Sequence, residues 1–216
     1  MSGTPALHTG QPLLRRGAAP AQARAAVIMV HGRGASADDI LGLADELGVP
    51  EVAYLAPQAA GGAWYPNRFV APVASNEPWL GSALAVLGEL LGQLATAGLP
   101  PERTLLLGFS QGACLALEYG ARNPLRYGGL VGLSGALIES GDQPRAYPGD
   151  LAGTPVFLGC SDVDAHIPRG RVERSATLLQ GLGATVDTRI YPGMGHAVNQ
   201  DELAAVRALL LQVVQA

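Results

Sequence analysis

The chain has 216 residues, of which 48% are hydrophobic and 15% are charged, so it can bury a large core and is not a disordered segment. Its net charge is −4 and no basic stretch interleaves with aromatic residues, which argues against nucleic-acid binding. The length predicts a single domain spanning residues 1–216.

Cysteine usage and the N-terminal segment indicate a compartment. Cys114 and Cys160 both lie inside apolar runs, which predicts buried free thiols in a reducing environment. Residues 1–26 contain no uninterrupted apolar segment typical of a signal peptide, and no run of about 18 uncharged apolar residues predicts a membrane span. We therefore expect a cytoplasmic protein. All 14 basic residues are arginine, which we attribute to genome composition such as that of a GC-rich bacterium.

Short apolar runs alternate with segments of helical period along the chain. The predicted strands are 26–30, 52–55, 104–109, 130–134, 155–159 and 185–191, with 9–14 as a candidate edge strand. The predicted helices are 36–47, 80–97, 111–122, 169–182 and 200–215, the first opening with a capping box from Ser36 to Asp39. This alternation predicts an α/β fold with a mostly parallel central sheet and helices on both faces.

Residues 59–78 fit neither the strand nor the helix pattern. The segment is rich in proline and contains Trp64 and Tyr65, and Trp79 follows it directly. A loop of this length inside a compact domain usually has a function.

A Gly-x-Ser-x-Gly motif stands where the strand 104–109 must turn into the helix 111–122. The motif places Ser110 at the turn, between Gly108 and Gly112. A nucleophile elbow is built in this way, because the glycines remove side chains that would collide as strand and helix close around the serine. Ser110 is therefore a candidate nucleophile.

A serine nucleophile needs a histidine base, and the histidine needs a carboxylate that sets its tautomer. On this type of fold the chain order is serine, then acid, then histidine, each after a later strand. Asp162 and Asp164 both follow the strand 155–159, and His196 follows the strand 185–191. The order is therefore correct, with two candidates for the acid.

An oxyanion hole needs two backbone N–H groups. One comes from the residue after the nucleophile, which is Gln111. The other is expected from the glycine-containing loop at 30–34, directly after an early strand.

These motifs together resemble the phospholipase/carboxylesterase family of α/β-hydrolases, in its bacterial carboxylesterase branch. The resemblance to the family rests on His-Gly-Arg-Gly-Ala-Ser from residue 31, Gly-Phe-Ser-Gln-Gly, Asp-Ala-His-Ile-Pro and Gly-Met-Gly-His, and it covers nearly the whole chain. The resemblance to the bacterial branch rests on Trp-Tyr-Pro from residue 64 with Asn-Glu-Pro-Trp-Leu from residue 76. It implies the α/β-hydrolase fold without a separate cap domain. It also implies Ser110 as nucleophile, Asp164 as acid, His196 as base, and the amides of Arg33 and Gln111 as oxyanion donors. The family usually has Asp-Pro where this chain has Asp164 and Ala165, so Asp162 stays a weaker rival.

The remaining site predictions concern residues around the motifs. Trp64, Tyr65 and Ile167 are expected to line the substrate pocket, because their loops converge on the carboxyl ends of the strands. Three further histidines receive other roles: His31 shapes its loop, His166 lies at the surface or the pocket, and His8 is solvated. No Cys/His spacing resembles a zinc site, so no metal is expected.

The sequence therefore predicts a serine carboxylesterase that acts on short- to medium-chain esters, with thioesters and lysophospholipids left open, through an acyl-enzyme on Ser110. The substrate is a small-molecule ester and no cofactor is implied. The alternative is a member of the fold that binds a small molecule without catalysis. The oligomeric state is open, a homodimer included.

Overall fold

The computed structural model describes residues 7–139 and 145–216. Its strands are β1 (Leu13–Gly17), β2 (Ala25–Val30), β3 (Val52–Pro57), β4 (Thr104–Phe109), β5 (Gly129–Leu133), β6 (Pro155–Ser161) and β7 (Thr185–Tyr191). They form one sheet in the order β1-β3-β2-β4-β5-β6-β7, in which β1 alone runs antiparallel to its neighbour. The carboxyl ends of β2 to β7 therefore meet at one edge.

Helices cover both faces of this sheet. They are α1 (Ala37–Leu47), α2 (Trp79–Thr96), α3 (Gln111–Arg122), α4 (Arg169–Gly181) and α5 (Gln200–Gln215). The apolar residues of α1 and α5 pack on one face, and those of α2, α3 and α4 pack on the other. The predicted α/β fold with a mostly parallel sheet is confirmed.

Local sequence signals explain the burial of two strands and the starts of two helices. Every residue of β2 and β3 is buried, as expected for strands covered on both faces. The predicted capping box is present, since the Ser36 hydroxyl accepts from the Asp39 amide and the Asp39 carboxylate accepts from the Ser36 amide. Asn199 and Glu202 form an equivalent box at the start of α5.

The N-terminal region differs from its prediction. The edge strand was expected at 9–14, but β1 is Leu13–Gly17 and the preceding residues form turns. These turns carry His8 into the interior, where it is 2% exposed, so the prediction of a solvated His8 is wrong. Its amide donates to the Ser82 hydroxyl, and its Nδ1 accepts from the Ala60 amide. Burial lowers the pKa of His8, in keeping with a neutral ring.

Helix α2 is long and apolar enough to cross a membrane by length and composition alone, which the sequence analysis did not anticipate. Its buried leucines, including Leu80, Leu87 and Leu94, instead pack within the core on the sheet. A single helix of this kind is weak evidence for a membrane span, because core helices share its composition.

The turn between β4 and α3 requires close approach of backbone atoms. A Cβ at Gly112 would lie 2.0 Å from the Val30 carbonyl oxygen, and a Cβ at Gly108 would lie 2.2 Å from the Gly112 carbonyl oxygen. Backbone atoms cannot give way as a flexible side chain can. Glycine at both positions therefore allows α3 to start against the end of β2.

We predict that Gly112→Ala destabilises the protein by about 3 kcal/mol or more, because the new methyl group must displace backbone. The free energy of unfolding in urea measures this. Gly92→Ala is the matched control: it lies on an exposed face of α2 with nothing within 4 Å of the added Cβ. It should stabilise the protein by roughly 0.5–1 kcal/mol. Equal effects of the two substitutions would contradict the contact argument.

Candidate active site

Ser110 occupies the turn between β4 and α3 in a strained conformation. Its φ is 55° and its ψ is −120°, a backbone conformation that residues other than glycine rarely adopt. Two backbone hydrogen bonds hold it there: its amide donates to the Leu133 carbonyl over 2.9 Å, and its carbonyl accepts from the Cys114 amide over 3.1 Å. The turn thereby presents the hydroxyl group at the carboxyl edge of the sheet.

His196 and Asp164 meet Ser110 at this edge, although 86 and 54 positions separate them from it along the chain. The His196 Nε2 lies 2.9 Å from the Ser110 Oγ, and its Nδ1 lies 2.6 Å from the Asp164 Oδ2. The carboxylate makes Nδ1 the protonated nitrogen, which leaves Nε2 free to accept the serine proton. The three side chains form one continuous hydrogen-bonded chain.

The Asp164 carboxylate is fully buried, with a side-chain exposure of 0%. Burial alone would raise its pKa, but hydrogen bonds from His196 and from the amides of Ile167 and His166 outweigh burial and lower it. The two amides reach the Asp164 Oδ1 over 3.0 and 2.8 Å. Asp164 is therefore held ionised beneath His196.

Asp162, the rival acid, lies on the surface and does not contact His196. Its Oδ1 accepts from the Gly193 amide over 2.8 Å. The neighbouring Ser161 hydroxyl accepts from the Gly195 amide over 3.1 Å. Both contacts anchor the loop that carries His196.

The amides of Arg33 and Gln111 have no hydrogen-bond acceptor within residues 7–139 and 145–216, and both residues line the cavity that contains Ser110. Gly32 brings the first of these loops close to the nucleophile, because a Cβ there would lie 3.3 Å from the Ser110 Cβ. Unpaired amides beside a serine hydroxyl are the donors that an oxyanion requires.

The side chains of the same two residues hold the loop 59–78. The side-chain Oε1 of Gln111 accepts from the main-chain N–H of Trp64 over 2.9 Å, and the side-chain Nε2 donates to the Tyr65 carbonyl over 2.8 Å. The Arg33 Nη2 donates to the carbonyls of Tyr65 and Asn67 over 2.7 and 2.9 Å. The predicted oxyanion residues therefore also position the wall of the site.

A cavity of about 250 Å³ opens beside the Ser110 hydroxyl. Its wall is formed by Arg33, Tyr65, Asn67, Arg68, Phe69, Ser110, Gln111, Cys114, His166, Ile167 and His196. Tyr65 and Ile167 lie on this wall, as the sequence analysis expected. Arg68 and Phe69 also line it and were not predicted individually, although the unusual loop 59–78 that contains them was singled out.

Trp64 does not line the cavity, in contrast to the prediction. Its side chain is 0% exposed and packs against the rings of His31 and His8, whose centroids lie 5.0 and 5.4 Å away. Its Nε1 donates to the His31 carbonyl over 2.9 Å. The Trp64 ring points into the core, where its apolar surface packs against other rings and its indole N–H has an acceptor. Trp64 therefore stabilises the loop from the core side and does not contact the cavity.

The two remaining histidines of this region lie in the core and on the cavity wall. His31 is fully buried, and its Nε2 accepts from the Ala59 amide over 3.0 Å, which fits the predicted role of shaping the loop. The His166 ring lies on the cavity wall with its centroid 4.8 Å from that of His196. In the part of the chain that the structure describes, no group of His, Cys, Asp and Glu could hold a metal ion.

A serine at a strand-to-helix turn, joined to an acid and a histidine from later strand ends of a mostly parallel sheet, is the arrangement of the α/β-hydrolase fold. Residues 17–213 match the phospholipase/carboxylesterase family. The chain therefore belongs to this family, as the sequence motifs predicted.

Individual relatives agree with this assignment. A phospholipase/carboxylesterase from Dyadobacter fermentans, solved by crystallography, is 41% identical with a TM-score of 0.88, over 94% of this chain and 97% of that one. Esterase PE8 is 29% identical with a TM-score of 0.76, over 94% of this chain and 98% of that one.

Acyl-protein thioesterases of fungi are also similar. Acyl-protein thioesterase 1 of Gibberella zeae is 38% identical over 125 residues, which are 56% of this chain and 53% of that protein. The Yarrowia lipolytica enzyme of the same name is 26% identical over 201 residues, 84% of this chain and 88% of that protein. In the first three thioesterases the matched stretch spans little more than half of the protein.

We predict that Trp64→Ala lowers the free energy of unfolding by about 3–5 kcal/mol, because it empties a fully buried site. Trp79→Ala is the matched control: its partly exposed ring contacts His8 edge-on, so the loss should be clearly smaller. Urea denaturation followed by circular dichroism measures both. A Trp64→Ala protein as stable as the Trp79→Ala protein would place Trp64 outside the core.

Stability should also depend on pH through Glu202, which is fully buried next to the His196 loop. Burial raises its pKa from 4.5 to about 7. The folded state therefore binds a proton that the unfolded state releases, so stability is lost as pH rises through this window. The shift of the pKa from 4.5 to about 7 corresponds to a loss of about 3 kcal/mol in the free energy of unfolding, at about 1.4 kcal/mol per pKa unit.

Glu202→Gln should remove this dependence, because the amide cannot ionise. The melting temperature of the variant relative to the unmodified protein should rise between about pH 4.5 and about pH 8. Glu89→Gln, at an exposed position on α2, is the control and should show no such trend. A flat difference for Glu202→Gln would mean that its carboxyl group is not held protonated by burial.

Proposed function

We propose that this protein is a serine carboxylesterase that hydrolyses short- to medium-chain esters through an acyl-enzyme on Ser110. The observation that carries the proposal is the hydrogen-bonded chain from Ser110 through His196 to Asp164. A non-catalytic binding protein would gain nothing from the strained φ of Ser110 or from a buried carboxylate beneath His196.

In the acylation step the Ser110 Oγ attacks the ester carbonyl carbon, and its proton passes to the His196 Nε2. Asp164, held ionised by hydrogen bonds that include those from His196 and from the amides of His166 and Ile167, stabilises the resulting imidazolium. The amides of Arg33 and Gln111 donate to the oxyanion of the tetrahedral intermediate. His196 then returns the proton to the leaving alcohol as the carbon–oxygen bond breaks, which leaves the acyl group on Ser110.

In the deacylation step His196 takes a proton from water, whose oxygen attacks the acyl carbonyl. A second tetrahedral intermediate forms on the same two amides. Its collapse returns the proton to the Ser110 Oγ and releases the carboxylic acid. Water is the only reactant that these steps use besides the ester, because His196 carries each proton between Ser110, the leaving alcohol and water.

The size of the cavity favours a small acyl group. A volume of about 250 Å³ lies below the range of about 300–1,000 Å³ that is usual for ligand pockets. Phe69 and Ile167 supply its apolar surface. Thioesters remain within the proposal, since the fungal relatives are named acyl-protein thioesterases. A series of 4-nitrophenyl esters from acetate to palmitate, run beside an acyl-CoA panel, separates the two.

Two buried free thiols, Cys114 and Cys160, support a location in a reducing compartment such as the cytoplasm.

We predict that Ser110→Ala and His196→Ala each lower kcat on 4-nitrophenyl butyrate by on the order of 10³-fold or more. A fluorophosphonate probe should label the unmodified protein and not Ser110→Ala. Asp164→Asn should be similarly severe, because it favours the wrong tautomer of His196.

Asp162→Asn is the matched control, because its side-chain oxygen can still accept from the Gly193 amide. It should change kcat by less than about tenfold. A severe loss for Asp162→Asn with a mild one for Asp164→Asn would reverse the assignment of the acid. An unlabelled, inactive but folded protein would instead favour the binding alternative.

A further inference from the structure

Two guanidinium groups stand on the wall of the cavity that contains Ser110 and His196. One is Arg33, which donates to the carbonyls of Tyr65 and Asn67. The other is Arg68, whose Nη2 donates to the His166 carbonyl over 3.1 Å and so connects the loop 59–78 with the loop that follows β6.

The partners of these guanidinium groups orient them without cancelling their charge. Each accepting oxygen belongs to a neutral backbone carbonyl, and in the described parts of the chain neither arginine has a carboxylate partner. No Asp or Glu among those residues lies on the cavity wall. Two carboxylates lie near the wall: Asp164 is fully buried behind His196, and Glu118 is fully buried in ion pairs with Arg122 and Arg145. The mouth of the cavity is therefore cationic in a chain whose net charge is −4.

Fixed guanidinium groups with free N–H donors bind carboxylates and phosphates, because their planar donors match two acceptor oxygens. We propose that the preferred substrate carries a negatively charged group in its acyl or alcohol part, and that Arg68 selects it. This inference rests on the proposed esterase function of Ser110 and adds a substrate class to it.

Arg68 is the residue to test, because Arg33 has two further duties. The Arg33 amide is placed in the oxyanion site, and its side chain holds Tyr65 and Asn67, so a substitution there would mix several effects. Among residues 7–139 and 145–216, the Arg68 side chain has one hydrogen-bond partner, the His166 carbonyl, and it is exposed.

The experiment compares esters that differ by one charge. Monoethyl adipate and ethyl hexanoate share their acyl length, and 3-acetoxypropionate and propyl acetate share their alcohol length. Acid release at constant pH measures kcat and KM for each with the unmodified protein, Arg68→Gln, Arg68→Lys and Arg103→Gln. Arg103 is the charge-matched control, since it lies just before β4, at the amino ends of the parallel strands and opposite the cavity.

We expect Arg68→Gln to lower kcat/KM for the charged member of one pair by about fivefold, the typical strength of an exposed ion pair. The change should appear in KM, because the charge contacts substrate and transition state alike. The neutral esters should change by less than about twofold, Arg68→Lys should keep most of the preference, and about 0.5 M NaCl should weaken it. The affected pair shows whether the acyl or the alcohol part carries the charge.

Equal losses on charged and neutral esters would overturn the inference and make Arg68 a structural contact between two loops. So would a loss with Arg103→Gln as large as that with Arg68→Gln. If the unmodified protein hydrolyses none of the four esters, the proposed esterase function fails, which is distinct from a failure of charge selection.

Discussion

The contact between the start of α3 and the end of β2 is the constraint on which the site depends. With only hydrogen at the α-carbon of Gly112, α3 reaches the Val30 and His31 carbonyls. This approach brings the start of α3, which carries Gln111, against the segment that leads into Arg33. A strand-to-helix turn at Ser110 alone would present a hydroxyl group. In the proposed mechanism the two neighbouring segments add the amides of Gln111 and Arg33 as oxyanion donors.

Hydrogen bonds from its first residues to buried polar side chains hold the loop 59–78 beside the start of α3. Two buried histidines, His8 and His31, accept from the amides of Ala60 and Ala59, and burial lowers the pKa of both rings. A protonated ring has no lone pair with which to accept, so each anchor exists only while its histidine is neutral. Acid therefore weakens the loop, whereas Glu202 loses its buried proton as pH rises. The two effects therefore change stability with pH in opposite directions.

The sequence allowed the chain order of Ser110, Asp164 and His196 to be recognised because each follows a strand, and parallel strands end at one edge. Periodicity likewise located α3, α5, β4 and β7 at their observed bounds. It could not locate contacts whose partners lie far apart in the chain. His8 reaches the Trp64 carbonyl 56 positions away and Arg68 reaches His166 98 positions away, and no local pattern encodes either. Trp64 was misplaced for this reason, since an aromatic residue in a loop suits a pocket as well as a core.

Because of these long-range contacts, the residues proposed to carry out the reaction and the residues that shape the cavity are held in place by different interactions. In the proposed mechanism the groups that exchange protons follow β4, β6 and β7, which backbone pairing holds in the sheet. The cavity wall also includes Tyr65, Asn67, Arg68 and Phe69 from the loop 59–78, which is held in part by the side chains of Gln111, Arg33 and Arg68. A change in the loop can alter the size or charge of the cavity while the distances between Ser110, His196 and Asp164 stay as they are. Under the proposed mechanism, such a change would alter substrate preference and leave the proton-transfer geometry intact.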